Sequence, residues 1–284
     1  MGLAGALLLW GCSEPDPYAD HSWPPPSPAL WQVTTDDGNV GWLFGTVHAL
    51  PDGVEWQSEA VDEAFAESEL LVVEIANLRD TDAAATDFNR LAYSTDQLPL
   101  LQRVDPAERP ALEELLDKAA ANERDFHLME NWATAMILSA AVRVGKPANG
   151  VDRTLLASGK RNLGLESFGG QYLIFDSLPD AEQADLLLAI AKEAQRDNPL
   201  ASIEAWLVGD LAAVESLGEK GILTDPELRE ALINARNRAW IEKIVPTFEA
   251  GLRPFVAVGA AHMLGDEGLP ALFAARGWTV ERLQ

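Results

Sequence analysis

A chain of 284 residues, 48% of them apolar, can bury a large core, which excludes disorder as its general state. Its 45 acidic against 21 basic residues leave a formal net charge of -24, which repels phosphates and excludes nucleic acid as a partner. The single cysteine, Cys12, excludes an intramolecular disulfide and a cysteine-based zinc site, so any metal must be held by the four histidines and by carboxylates.

The first segment reads as an address. Residues 3–10 (LAGALLLW) are apolar but far shorter than the ~20 residues of a membrane-spanning helix. The run ends in Leu9-Trp10-Gly11-Cys12, which resembles a bacterial lipobox and predicts a signal peptide over 1–12 with a lipid anchor at Cys12. No Lys or Arg precedes the run, and Trp10 stands where a small residue is usual, so the position of the true start stays open. Residues 13–28 carry six prolines and are expected to be an extended spacer, with His21 solvated inside it. The expected location is the periplasmic side of the cell envelope, with Ser13 favouring the outer membrane; contact with lipid is through Cys12 alone.

A folded domain is expected over 29–284. Its opening predicts a hairpin: Ala29–Thr34, a turn at Asp36-Asp37-Gly38-Asn39, then Val40–Thr46. Trp56–Ser68 has helical spacing and Leu70–Ile75 is a short apolar strand. Residues 80–158 read as a helical insertion, with a helix opened by Pro106, a nearly apolar one over Leu128–Val144, and another at Asp152–Ser158. Strand Leu163–Phe168 follows, then helical residues 180–217 and a long helix Pro226–Ala250. Strand Phe255–Val258, helix Glu267–Ala275 and strand Trp278–Leu283 close the chain as a β-α-β unit. The fold class is α/β: a central mixed sheet flanked by many helices, with a helical insertion between strands.

Two segments repeat one pattern. Trp42–Thr46 leads into Val47-His48 and Val256–Val258 into Gly259-Ala260-Ala261-His262, each an apolar strand followed by Gly-x-x-His. Strands buried on both faces read as such runs, and in open α/β sheets ligands bind beyond the carboxyl ends of strands. Either histidine alone is an ordinary structural residue; the pair points to a shared site. Glu74 and Glu166 sit near the ends of two further apolar strands, where an ionised carboxylate must pair, bind a metal or face solvent. Two histidines with one or two glutamates suit Zn, Mn or Co with open positions for water.

These motifs, with Gly150-Val151-Asp152, Leu165-Glu166, Gln171, Trp206…Gly209-Asp210, Arg236-Asn237 and the ending FVAVGAAHMLGDEGLPALFAARGWTVERL, resemble the TraB/PrgY/GumN family, which includes the TIKI-type metalloproteases. The resemblance spans residues 29–284. It implies a metal-dependent hydrolase acting on a peptide or protein substrate. It also implies that the paired histidines and a glutamate are essential and that Arg236 and Asn237 lie near the site.

The expected metal ligands are His48, His262, Glu166 and Glu74, with one glutamate free to act as base. Two other readings stay open: an envelope binder of a peptide, metal or haem, and a metal-independent esterase with a histidine base. As crevice residues, the histidines are expected to contribute little to stability. His127, Trp132 and Trp206 read as packing residues, and Asp105-Pro106 and Asp225-Pro226 as helix starts. No P-loop, dinucleotide fingerprint or Gly-x-Ser-x-Gly elbow occurs.

Overall fold

The computed structural model describes residues 17, 18 and 20–284. The signal-like run, Cys12 and the first part of the proline-rich segment lie outside the described residues. Residues 21–28 are not a free spacer. The Ser27 N–H donates to Leu207 O at 2.8 Å, Pro28 is buried, and His21 Nε2 lies 3.0 Å from Glu204 Oε1 rather than in open solvent.

Six strands form one sheet: β1 (Leu30–Thr34), β2 (Val40–Thr46), β3 (Leu70–Ile75), β4 (Asn162–Glu166), β5 (Pro254–Gly259) and β6 (Thr279–Arg282). Their order across the sheet is β4-β3-β5-β2-β1-β6. The hairpin forms as expected, because Gly38 takes φ +82° at the turn at no steric cost and Thr35 closes it on Asn39 at 2.9 Å. β4, β3, β5 and β2 run parallel, while β1 is antiparallel to both its neighbours. The sheet is therefore mixed, as the sequence predicts.

The apolar strands are apolar on both sides because helices cover both faces. Val72, Val256 and Leu43 point into one core with Trp240, Ile244 and Phe273. Leu71, Phe255 and Phe44 point into the other, with Trp56 and Trp206. Each such side chain taken out of water contributes about 1.5–3 kcal/mol. The helices between β3 and β4 and after β4 build a third core around Trp132, Leu112, Leu115 and Leu187, away from the sheet.

Several helices differ from the sequence pattern at their ends. The expected helix at Trp56–Ser68 starts at Glu59, because the Ser58 hydroxyl accepts from Val61 N and caps it there. The stretch 180–217 is three helices, Asp180–Glu193, Ala201–Leu207 and Leu211–Gly218. Gly209 at φ +67° and the Asp210 cap separate the last two. Asp225 and Pro226 start a helix as predicted, with Asp225 Oδ1 accepting from Leu228 N at 2.8 Å. Asp105 does not. It closes a local turn on Ala107, and the helix begins at Arg109 with Pro110 in its first turn. Phe168 belongs not to β4 but to a helix, Phe168–Asp176, capped by Ser167. The apolar helix at 128–144 is regular only over Asn131–Leu138. The long C-terminal helix is Ala235–Glu249, preceded by one wide π-type turn over Glu230–Asn234 that places Arg236 and Asn237 at the head of its regular part.

Candidate active site

The order of the sheet decides the site. β5, near the end of the chain, slots between β3 and β2, with Gly45 opposite Val258 and Thr46 opposite Gly259. The two Gly-x-x-His segments thus leave adjacent parallel strands at the same edge. Packing rather than backbone freedom favours glycine at both positions, most strictly at Gly45, where the neighbour is backbone. A Cβ on Gly45 would lie 2.9 Å from the Ala260 Cα. A Cβ on Gly259 would lie 3.2 Å from Glu74 Oε1 and 3.7 Å from His48 Nε2. Glu74 near the end of β3 and Glu166 at the end of β4 lie at the same edge, Glu166 opposite Ile75 in the parallel pair.

The two histidines are not equivalent. His48 stands at the mouth of the cleft with 69% of its side chain open to solvent. Its Nδ1 lies 2.9 Å from Oδ2 of the buried Asp152, whose Oδ1 accepts from the Thr46 hydroxyl at 2.8 Å. With Nδ1 tied to Asp152, Nε2 is left toward the cleft. The surrounding protein desolvates the ring and by itself lowers its pKa. The hydrogen bond and charge of Asp152, with the charge of Glu74, outweigh this and push it up to about 9.

His262 is buried, in a short 3-10 turn over Ala260–Met263. Its Nδ1 lies 2.7 Å from Asn237 Oδ1, and Asn237 Nδ2 donates to the backbone oxygens of His262 and Glu267 at 3.2 and 2.7 Å. Its ring packs on Trp240 at 4.3 Å between centroids. Burial, only partly offset by Glu74 and reinforced by Arg236 and His48, holds its pKa down at about 3, so the ring is neutral and its Nε2 accepts from Arg236 at 3.3 Å.

Arg236 occupies the centre. It donates to both oxygens of Glu166 at 2.9 Å each, to Glu74 Oε2 at 2.7 Å, and lies over the Trp240 ring at 4.6 Å. Glu166 Oε1 also accepts from Trp240 Nε1 at 2.8 Å. Glu166, expected as a ligand or base, is thus fully engaged by Arg236 and Trp240. Glu74 accepts additionally from Gly259 N at 2.8 Å and Gln171 Nε2 at 3.3 Å. Burial pushes its carboxyl up, but the charges of His262 when protonated, of Arg236 and of His48, with the Gly259 N–H, hold it at about 2. Because His262 is neutral near pH 7, Arg236, His48 and Gly259 are the groups that keep Glu74 ionised there.

His48, Glu74, Asp152 and Gln171 line a cleft of about 240 Å³ with an apolar wall that includes Ile75 and Phe168. His48, His262, Glu74, Glu166, Arg236 and Asn237 all meet at this end of the sheet. His127 does not, lying exposed and bonded to its own turn at Arg124 O. Trp206 is a core residue whose Nε1 donates to Gly45 O at 2.7 Å and so braces β2. Asp152 was not singled out by its chemistry from the sequence. The available signal was a carboxylate in the otherwise apolar start Val151-Asp152 of a helix directly after Gly150.

The donor set matches a metal in kind: two imidazoles with Nδ1 engaged by Asp152 and Asn237, beside an ionised carboxylate. His262 Nε2 and Glu74 Oε1 are 4.0 Å apart. The spacing does not close around one ion, since among the described residues only Glu182, Asp185 and Asp225, on the far side of the helical layer, bring three such donors within 4.8 Å of one another.

Fold and site together define an α/β protein with a charged cleft across the carboxyl ends of four parallel strands. The model of the TraB/PrgY/gumN family matches residues 29–282, and the chain belongs to this family. No curated protein and no solved structure matches it.

Proposed function

We propose that the protein is a metal-assisted hydrolase of peptide bonds, tethered to the cell envelope through Cys12. The observation that carries this reading is the pairing of two Gly-x-x-His imidazoles on adjacent parallel strands, each with its Nδ1 tied to an oxygen and with Glu74 beside them. His48, His262 and Glu74 are the residues that would hold the ion, which requires Arg236 to give up its bond to His262 Nε2 and the three donors to draw together. Mn, Co or Zn suits two imidazoles and a carboxylate. When bound, such an ion supplies a water of lowered pKa and polarises the scissile carbonyl. The chain's own groups do the rest. Asp152 fixes the His48 tautomer, and Asn237 does the same for His262. Arg236 helps keep Glu74 ionised and holds Glu166 through both of its oxygens.

A second reading has its own observation. Arg236 already sits among Glu74, Glu166 and His262 as the central cation, and it suits hydrolysis without a metal, with His48 as base. Purified full chain, stripped with chelator and then supplied with Mn, Co or Zn, separates the two. The metal reading expects peptide turnover to vanish on stripping and return on addition. Full turnover after stripping, rising with pH toward the His48 pKa of about 9, overturns it in favour of the histidine base. Bound peptide without turnover under any condition makes the protein a binder. For the anchor, Cys12→Ser should move the protein from the membrane fraction to the soluble periplasm; an unmutated protein lacking lipid by mass spectrometry removes that part of the proposal.

A further inference from the structure

The cleft that holds His48, Glu74 and Asp152 is rimmed by two arginines, Arg143 and Arg153. Neither guanidinium has a hydrogen-bond or ion-pair partner among the described residues. Some arginines elsewhere pair with carboxylates, as Arg196 does with Glu193 at 2.8 Å and Arg253 with Glu67 at 2.7 Å, while others such as Arg124 and Arg161 do not among the described residues; what sets Arg143 and Arg153 apart is their place together on the rim of the cleft. Past Arg153 the cleft continues into a second groove with Arg79, another exposed guanidinium without a partner, on its wall. The floor is acidic and the rim is basic. A guanidinium presents a planar fork that matches a carboxylate bidentately, and its attraction is strongest in a concave, partly dry site.

We infer that Arg143 and Arg153 form a carboxylate subsite, and that the preferred ligand is a peptide with a carboxylate beside an apolar residue. The apolar residue faces the wall of Ile75, Leu78 and Phe168, and the carboxylate faces the two arginines. Turnover of that ligand rests on the hydrolase reading; the binding site stands by itself. The carboxylate has two sources, the peptide's own C-terminus or an Asp or Glu side chain. The acidic floor disfavours seating it any deeper, so it marks one end of the ligand and sets its direction in the cleft.

Four matched pentapeptide pools test this: free-acid or amidated C-terminus, each with an internal Asp or Asn. Binding to the full chain is measured by calorimetry in chelator, and turnover separately with added Mn. A pool with a carboxylate should bind at least about tenfold more tightly than the amidated Asn pool. Whether the free terminus or the Asp confers this identifies the source. In the Arg143→Gln, Arg153→Gln double variant the preference should collapse toward one, while Arg161→Gln, exposed and outside the cleft, should keep it. Equal binding of all pools, no binding of any, or a preference that survives the double variant overturns the subsite. A carboxylate preference without turnover keeps the subsite and removes the hydrolase reading.

Discussion

At the scale of residues the site is a chain of dependencies through Arg236. Its guanidinium is the shared cation of the buried Glu74 and the half-buried Glu166, so removing it leaves both without a balancing charge from that side. Breaking such a buried arrangement costs about 3–5 kcal/mol, and Arg236→Met should lower the stability measured by urea unfolding by that order. Glu166→Gln should cost less, since Glu74 still pairs Arg236, and this contrast distinguishes a network from two independent ion pairs. His262 also departs from its sequence expectation. It is 3% exposed, stacked on Trp240 and bonded to Asn237, so His262→Ala should destabilise by about 2–3 kcal/mol through lost packing and an unpaired Asn237. The exposed His48 behaves differently. Its folded pKa is raised above the ordinary histidine value, so its pairing with Asp152 stabilises the fold fully below about pH 6.5, and that contribution is lost as pH rises through about 9. Melting curves of chelator-treated protein at pH 6 and pH 9.5 should therefore differ more for the unmutated chain than for Asp152→Asn, whose His48 should titrate near its ordinary value by NMR.

At the scale of elements, the close approach of β2 to the turn after β5 holds the two histidine segments together. Gly45 lies at that approach, where the chain's own backbone comes close. An alanine there meets backbone at 2.9 Å, not a movable side-chain end. Gly45→Ala should cost about 1–3 kcal/mol and lower activity or metal binding with it, because the strain moves Ala260 and hence His262. An alanine at this position with unchanged melting temperature and site properties would show that the approach is slack. Helix starts were legible where a side chain caps them, as at Asp225. They were misread at Asp105, where the same Asp-Pro pair closes a turn three residues before the helix. Both arrangements satisfy the local backbone equally well, and only the packing of Leu112 and Leu115 into the helical core selects the later start.

At the scale of the whole molecule, the surplus of acid remains the dominant field. A net charge of -24 repels itself within the compact state. Raising salt from about 10 to 150 mM shortens the screening length from about 30 to 8 Å, and should raise Tm by at least about 2 °C, measured by calorimetry in the absence of divalent ions. A fall in Tm instead would mean that the surface ion pairs outweigh the repulsion. Against this field the two arginines on the rim of the cleft put positive charge above an acidic floor, which is why they bear on the ligand. Among the described residues no helix is long and apolar enough to cross a membrane.

The sequence by itself determined what local pattern can encode. That includes the hairpin at Gly38, the apolar strands, the mixed α/β class and the repeated Gly-x-x-His, because backbone conformation and burial on one or two faces leave their period in neighbouring residues. It also determined the family, through the order of its motifs along 29–282. Only the tertiary structure decided that β5 lies between β3 and β2, that Asp152 rather than a glutamate anchors His48, and that Glu166 is bound to Arg236. Those are contacts between residues 70 to 213 positions apart, from the Glu166–Arg236 pair to the pairing of Thr46 with Gly259. No local period records which distant strand a strand will choose, since that choice is made by the fit of both faces of the sheet against their helices at once.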